Sequence, residues 1–432
     1  MCFKATLQIP PIKKENSYKS LTIKDLNIRF YKNIDDIADF KYLPSSQKII
    51  SEHNIFLSPD FQRVLKQTPP FGFQFCYLTF HKNEQFVGFV ACQIKNFDAS
   101  ESLNFDGQQN YILLAVRKWL ARRVHFQTLI VGNLLLTGEN SYWFANQLVT
   151  DVDKNKFLSN GIQFVKKILS EENIFIKSVF IKDFFEPQKS LITEGYNEFQ
   201  VEPNFIMPIH AVWHSFEHYL EALSSKYRVR AKRAFKKLQG IEKKEFNEER
   251  IIANKLKINE LYRNIADKSS FNLVDLNEDY FVEMKRQLGD KFRFFGYYTN
   301  AKNESVTASG AWQEGGDNNN SSPELVGFFT TIQNGEVLEA HFLGYDESLN
   351  HSHQIYLNFL FDIIKNGVDN QSKSIVFART AHEIKSSVGA QAHDMYLYMR
   401  HENPIINRLL PYFLKILSPR EDWQPRQPFK EN

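Results

Sequence analysis

The chain has little cysteine, little glycine and no long apolar run. Only Cys2, Cys76 and Cys92 occur among 432 residues. They are too few and too scattered for a disulfide framework or a thiolate metal site, and they fit a reducing cytosol. No stretch approaches the roughly 18 uncharged apolar residues that a membrane span requires. The opening Met1-Cys-Phe-Lys-Ala-Thr6 holds no apolar signal core. The expectation is a cytoplasmic protein, with room for peripheral contact with the inner face of a membrane. Charge of one sign is also lacking: 53 Lys and Arg against 50 Asp and Glu leave a net +3. No global field argues for nucleic acid, and no DNA partner is expected. Glycine is missing where nucleotide or serine-hydrolase chemistry would need it. There is no G-x-x-x-x-G-K-[ST], no G-x-G-x-x-G and no G-x-S-x-G elbow.

What is present is an ordinary globular composition, 43% hydrophobic and 24% charged, with length for two or three domains. Phenylalanine is abundant at 39 residues. Codon bias that also favours Lys, Asn and Ile accounts for this; lining a fatty-acyl channel is the other reading. Residues 1–24 read as an extended arm and Leu26–Tyr31 as a strand. Asn33 opens a helix to Asp39, and Phe56–Lys66 forms another that Pro69-Pro70 ends. Phe71–Phe80 and Gln85–Lys95 read as a hairpin. Tyr111–Arg123 is a basic stretch around Trp119 and Leu120, and Thr128–Thr137 is strand-like.

A repeated layout follows. Helix Lys156–Leu169, strand Ile174–Phe184, helix Gln188–Glu194, Gly195 and strand Phe199–Ile209 form one series. Helix 353–367, strand 374–378, helix 381–388, Gly389 and strand Met395–Arg400 form the other. The hairpin at 71–95 is matched by Phe292–Thr299 with Ser305–Gln313. Residue identity between the series is negligible, so the repeat is one of architecture. Between them Ser215–Leu238 reads as one long helix, followed by helices Glu249–Ala266 and Asn277–Leu288. Glu314–Pro323 is a low-complexity loop, and the tail after Pro419 reads as an extended surface segment.

Four groups of residues bear on chemistry. Lys226, Arg228, Arg230, Lys232, Arg233, Lys236 and Lys237 fall within twelve residues with no acid among them. At 3.6 residues per turn they wrap most of a helix, so they form either a solvated face or a grip on phosphate. Glu339 and His341 alternate onto one strand face, as a general base for an amine or as a plain polar face. Tyr345 is placed to protonate a departing thiolate or to pack as wall. Glu383 and Lys385, spaced i, i+2, cannot share one helix face; one can enter a cleft while the other braces. With Arg379 they lie beyond a strand's carboxyl end, where ligands gather in open α/β sheets. His214-Ser-Phe-Glu217-His218 fits H-x-x-E-H without a third ligand, and His351-Ser-His353 is weaker still, so no metal is expected.

Leu343-Gly-Tyr-Asp346, Tyr356-Leu-Asn-Phe-Leu-Phe-Asp362, Arg379-Thr380 and Glu383-Ile-Lys-Ser-Ser-Val-Gly389 together resemble the second half of the double-GNAT acyltransferases. These are the Fem-like, peptidoglycan-biosynthesis-type proteins built from two acyl-CoA N-acyltransferase-like folds. The resemblance is strongest over 213–400 and faint before 150. It implies an α/β chain of tandem GNAT-like folds, mixed sheets flanked by helices with a helical insertion, divided as 1–210 and 211–432. The second half then carries the active cleft and the basic helix at 215–238. A Lys/Arg-rich stretch after a Leu-Ser lead-in, here Leu223-Ser224, is similar to one in those relatives. The resemblance departs from acetyl-CoA users at Asp346-Glu-Ser-Leu-Asn-His-Ser-His353, where their glycine-rich pyrophosphate loop would stand.

The implied function is transfer of an acyl group from an acyl-CoA or acyl-carrier-protein thioester to an amine, with an amino lipid favoured as acceptor. His341 or Glu339 would be the base, Tyr345 near the leaving group, and Lys385 and Arg379 at the donor or tetrahedral oxygen, with Glu383 beside them in the catalytic set. Lys226, Arg230 and Arg233 would hold phosphate. An aminoacyl-tRNA-dependent ligase of Fem type is the alternative enzyme, and a degenerate anion-binding scaffold the alternative without chemistry.

Overall fold

Alternation sets the strands. In Leu26–Tyr31 the apolar Leu26, Ile28 and Phe30 are buried and Asn27 and Arg29 half-buried between them. The structure, a computed structural model, describes residues 18–98, 125–268, 274–299, 323–417 and 423–430. The expected segments Tyr111–Arg123 and Ser305–Gln313, and nearly all of the loop Glu314–Pro323, lie outside them.

Among the described residues the strands join into one sheet whose order is nearly palindromic. One arm runs from β1 (Lys19–Ile23) through β2 (Leu26–Tyr31), β3 (Phe73–Lys82) and β4 (Gln85–Asp98) to β5 (His125–Val131). The short β6 (Tyr142–Phe144) pairs with β4. Then come β7 (Ser178–Phe184) and, counting on along the chain, β8 (Asn197–Pro208). The other arm comprises β9 (Ile241–Phe246), β10 (Phe292–Thr299), β11 (Leu325–Asn334), β12 (Val337–Tyr345), β13 (Ser374–Val376) and β14 (Gln391–His401). Each arm is antiparallel except for one parallel pair, β5 with β7 and β12 with β13. At the centre the order is β7-β14-β8-β13, all antiparallel. Each arm therefore ends against the last strand of the other: a reciprocal strand exchange.

The helices repeat with the strands. Asp151–Glu171, capped by Thr150 with Asp151 and Asp153 in its first turn, precedes β7; Ile355–Asp369 precedes β13. Short helices Lys189–Thr193 and His382–Ser386 follow those strands, and each leads to a glycine of positive φ, Gly195 and Gly389. One apolar cluster fills the first arm and another the second. A third is shared, packing Phe61, Val64 and Leu65 of helix Pro59–Gln67 with Phe281, Met284 and Leu288 of helix Tyr280–Leu288. The β3–β4 hairpin turns at Asn83-Glu84, both at positive φ. It sets Cys76 directly opposite Cys92.

Several elements differ from expectation. The long helix at 215–238 is two, Phe216–Ala222 and Ser225–Lys237. Leu223 is extended and bridges Phe429, while Ser224 N–H donates to the Pro428 carbonyl at 2.8 Å. The tail is thus a strap rather than a surface segment, with Trp423 and Phe429 packed on the core. Glu249–Ala266 is likewise interrupted, at Asn254. The glycine-free segment after Asp346 forms a helix, Glu347–His353, which Asp346 caps by accepting from Ser348 N–H. The partner of β10 is β11, buried along most of its length as a central strand should be.

Candidate active site

The basic helix Ser225–Lys237 is held by its small residues. Ala231 and Ala234 are buried, while Lys226, Arg230, Lys232, Arg233 and Lys236 are exposed. Lys226, Arg230 and Arg233, at i, i+4 and i+7, share one face. Lys237 turns instead to the adjoining helix, donating to the His351 carbonyl at 3.2 Å.

Facing it is helix His382–Ser386, entered through a contorted turn. Ala378, Thr380 and Ala381 all take positive φ, 56°, 67° and 51°, without being glycine. Such conformations persist where surroundings enforce them. Here Lys385, on the inner side of the helix and 4% exposed, donates its ammonium protons to the carbonyls of Ala378 (3.2 Å) and Arg379. Burial nonetheless drives its pKa down to about 7, despite the opposing charge of Glu202. On the outer side Glu383 pairs with Arg426 of the strap at 2.8 Å, and that hydrogen bond holds its carboxyl below the usual range. Trp423 packs on Phe205 and His382.

Between these elements lies a cleft of about 380 Å³ lined by Lys226, Tyr227, Arg230, Glu383, Ile384 and Arg426. It brings together residues of two sequence constellations, the basic run and the Glu383 helix. Arg233 is not part of its lining. Tyr227 and Arg426 were missed in the sequence; the signal for the strap was Trp423 and Phe429, large apolar groups in an otherwise polar, proline-rich tail.

The strand residues lie elsewhere. β12 pairs in parallel with β13 only from Val337 to Glu339, so Glu339, opposite Val376, marks the point where the two strands part. Burial pushes its carboxyl up to about 8, with only a hydrogen bond to Asn334 opposing. Beyond it the register against β11 slips: between the pairs Phe329–Leu343 and Thr331–Ala340, the single residue Thr330 of β11 stands opposite two of β12, His341 and Phe342. This bulge sets His341 and Phe342 side by side against Tyr280. His341 Nε2 is 3.1 Å from the Tyr280 hydroxyl, its Nδ1 is buried without a partner, and burial lowers its pKa to about 3. Tyr345 is on the other side, against Tyr356 and Phe359, its hydroxyl pKa raised by burial. None of the three lines the cleft.

Arg379 points away, to the fully buried Asp183 at the end of β7. Asp183 also takes Lys182 at 2.9 Å and Gly138 N–H at 3.2 Å. Burial would raise its pKa, but Lys182 and Arg379 outweigh that and hold it low. In the loop after β5 the N–H groups of Gly138, Leu134 and Leu135 are occupied from within, by Asp183, Gln93 and Asn133. In the second half Asn350 accepts from Tyr356 N–H at the start of helix Ile355–Asp369, where an anion cradle would need free donors. Among the described residues no three His, Cys, Asp or Glu side chains converge as metal ligands. His218 Nδ1 instead accepts from the His214 backbone.

Among solved structures the chain is similar to FemX, with a TM-score of 0.50 at 9% identity, covering 84% of this chain and 97% of that one. It is also similar to a tandem GNAT protein from the clavulanic acid biosynthesis pathway, with a TM-score of 0.47, 8% identity and coverage of 87% and 99%. L-PGS from Bacillus licheniformis gives 0.40, 12%, and 83% and 94%. No family model and no curated protein matches the sequence. With its two arms exchanging final strands and FemX matched over nearly its whole length, this chain has a tandem GNAT-like fold, the fold it shares with FemX.

Proposed function

We propose that the chain transfers an acyl group from a thioester or ester donor to an amine, in the second half, without a covalent intermediate. The observation that carries this is the parting of β12 from β13. A carboxyl shifted to about 8, Glu339, stands where the strands separate, and a cationic cleft lies beyond the carboxyl end of β13. A parted strand edge offers unpaired N–H and C=O groups to an extended amide-bearing arm. Lys226 and Arg230 would take the donor's phosphate. Glu339, as carboxylate, would accept the proton that the amine loses on attacking the donor carbonyl. The tetrahedral oxygen would be stabilised by N–H or ammonium groups of the 378–385 turn, and the departing thiolate or alkoxide would take up a proton, for which Tyr345 is the candidate. His341, held neutral, would position Tyr280 and the bulge.

An acyl-CoA or acyl-carrier donor and an amino-lipid acceptor are favoured over an aminoacyl-tRNA. The helices between the halves are short, 13 and 12 residues at most, whereas tRNA-dependent ligases of Fem type often bear a long helical hairpin. The test is untargeted mass spectrometry of lipid extracts from cells with and without the chain. Loss of an amide-linked acyl lipid with accumulation of its free-amine precursor supports the reading. An unchanged lipid profile removes the lipid acceptor and directs the search to cell-wall peptides. A phenotype unchanged by Glu339→Gln removes the enzyme and leaves a scaffold.

A further inference from the structure

Along Pro404–Tyr412 the helix Pro404–Leu417 turns apolar side chains outward. Its sequence, PIINRLLPYFLKIL, contains two cations, Arg408 and Lys415, and no acid. The side toward the protein is fixed by Leu410, 4% exposed, and by Asn407, which donates to the Gly195 carbonyl at 3.0 Å and accepts from His401 N–H at 2.9 Å. Ile405, Leu409 and Tyr412 fall at i, i+4 and i+7 on another face and are 70%, 41% and 68% exposed, with Ile406 beside them at 39%. Arg408 is exposed one turn before Tyr412. No helix among the described residues is long and apolar enough to cross a membrane.

We propose that this stripe docks on an anionic lipid surface, its apolar side chains in the acyl boundary and Arg408 at the headgroups. A second copy is a poorer occupant. Four side chains, among those described, fall well short of the roughly 800 Å² per partner of a stable interface. The placement is what makes docking useful. Only residues 418–422 separate Leu417 from Trp423, so the chain reaches the strap that carries Arg426 within about 20 Å. A docked helix would hold the cleft beside the bilayer, which rests on the amino-lipid reading above.

The test is co-sedimentation of the full chain with vesicles of phosphatidylglycerol and phosphatidylcholine in equal parts, or of phosphatidylcholine alone. Binding is expected to the anionic vesicles, weakened by salt and by Arg408→Glu, and lowered about tenfold or more by Ile405→Glu with Leu409→Glu. These positions are exposed, so the variants should keep the wild-type melting profile. Equal binding by wild type and double variant, or no binding by wild type, overturns the proposal. So does a wild-type dimer that the double variant breaks without any vesicle binding. Activity separates this from the function. Vesicle binding without acyl transfer by any form overturns the acyltransferase and leaves the helix. Transfer to an amine in vesicles that the double variant performs as well as wild type overturns the helix and leaves the acyltransferase.

Discussion

Lys385 and Glu339 are each held in the protonation state that their surroundings, rather than bulk water, prefer. Between about 7 and 10.5 the unfolded chain carries a proton at Lys385 that the folded chain has lost, so stability contributed by this group rises with pH through that window. Lys385→Met should abolish that rise in a pH series of thermal midpoints while also reducing acyl transfer. For Glu339 the sign is opposite. From about 4.5 to 8 the folded chain keeps a proton that the unfolded chain releases, and stability falls as pH rises. Glu339→Gln should therefore melt higher than wild type at pH 8, by about 1–4 kcal/mol, while losing activity. A gain in stability with loss of function is the mark of a residue kept for chemistry. The charges at both positions were visible in the sequence because they interrupt apolar runs beside strand ends. Their burial was not, since Lys385 lies over the ring of Phe205, far earlier in the chain, and Glu339 stands where β12 and β13 part. The bulge at His341 was equally hidden, because alternation alone cannot reveal an extra residue in one of two paired strands.

At the level of elements, the strap decides the cleft. Gly389 has φ 107°, and a Cβ there would lie 2.5 Å from the Phe429 ring. Gly389→Ala should cost about 1–3 kcal/mol and release the tail, read as a lower thermal midpoint and faster proteolysis after Trp423. Phe429→Ala should loosen the same contact without backbone strain, and both should weaken donor binding if Arg426 helps form the site. The repeated series of helix, strand, short helix, glycine and strand was legible in sequence, and both glycines take the positive φ that their place in it suggests. The break at Leu223 was not, because the apolar period runs unbroken across it. Only the backbone of Pro428, some two hundred residues later, takes Ser224 out of the helix.

At the scale of the molecule, the halves are tied by exchanged strands, by the shared apolar cluster and by the buried Lys182–Asp183–Arg379 group. Arg379→Ala would leave Asp183 buried with one cation fewer, and a loss of about 3–5 kcal/mol is expected, with both halves melting in a single transition by calorimetry. Two separate transitions would show that the halves are independent. Cutting near residue 210 should leave each piece without the strand that covers its last parallel pair, and neither should stay soluble alone. The two-fold layout could be inferred from the order of elements, but the exchange could not, since nothing in β14 marks it for β7 rather than β13.

That exchange also sets an order of events on the ribosome. Strand β7 emerges early, but its neighbour in the finished sheet comes from the end of the chain; Gln188 and Tyr398, which bond across this seam, are 210 residues apart. The first half must therefore wait, with an open edge, while the roughly 210 residues between these two are made, and closure of the sheet belongs to the slow, non-local kind of folding step. A chain of this design depends on protection of that edge while it is being made.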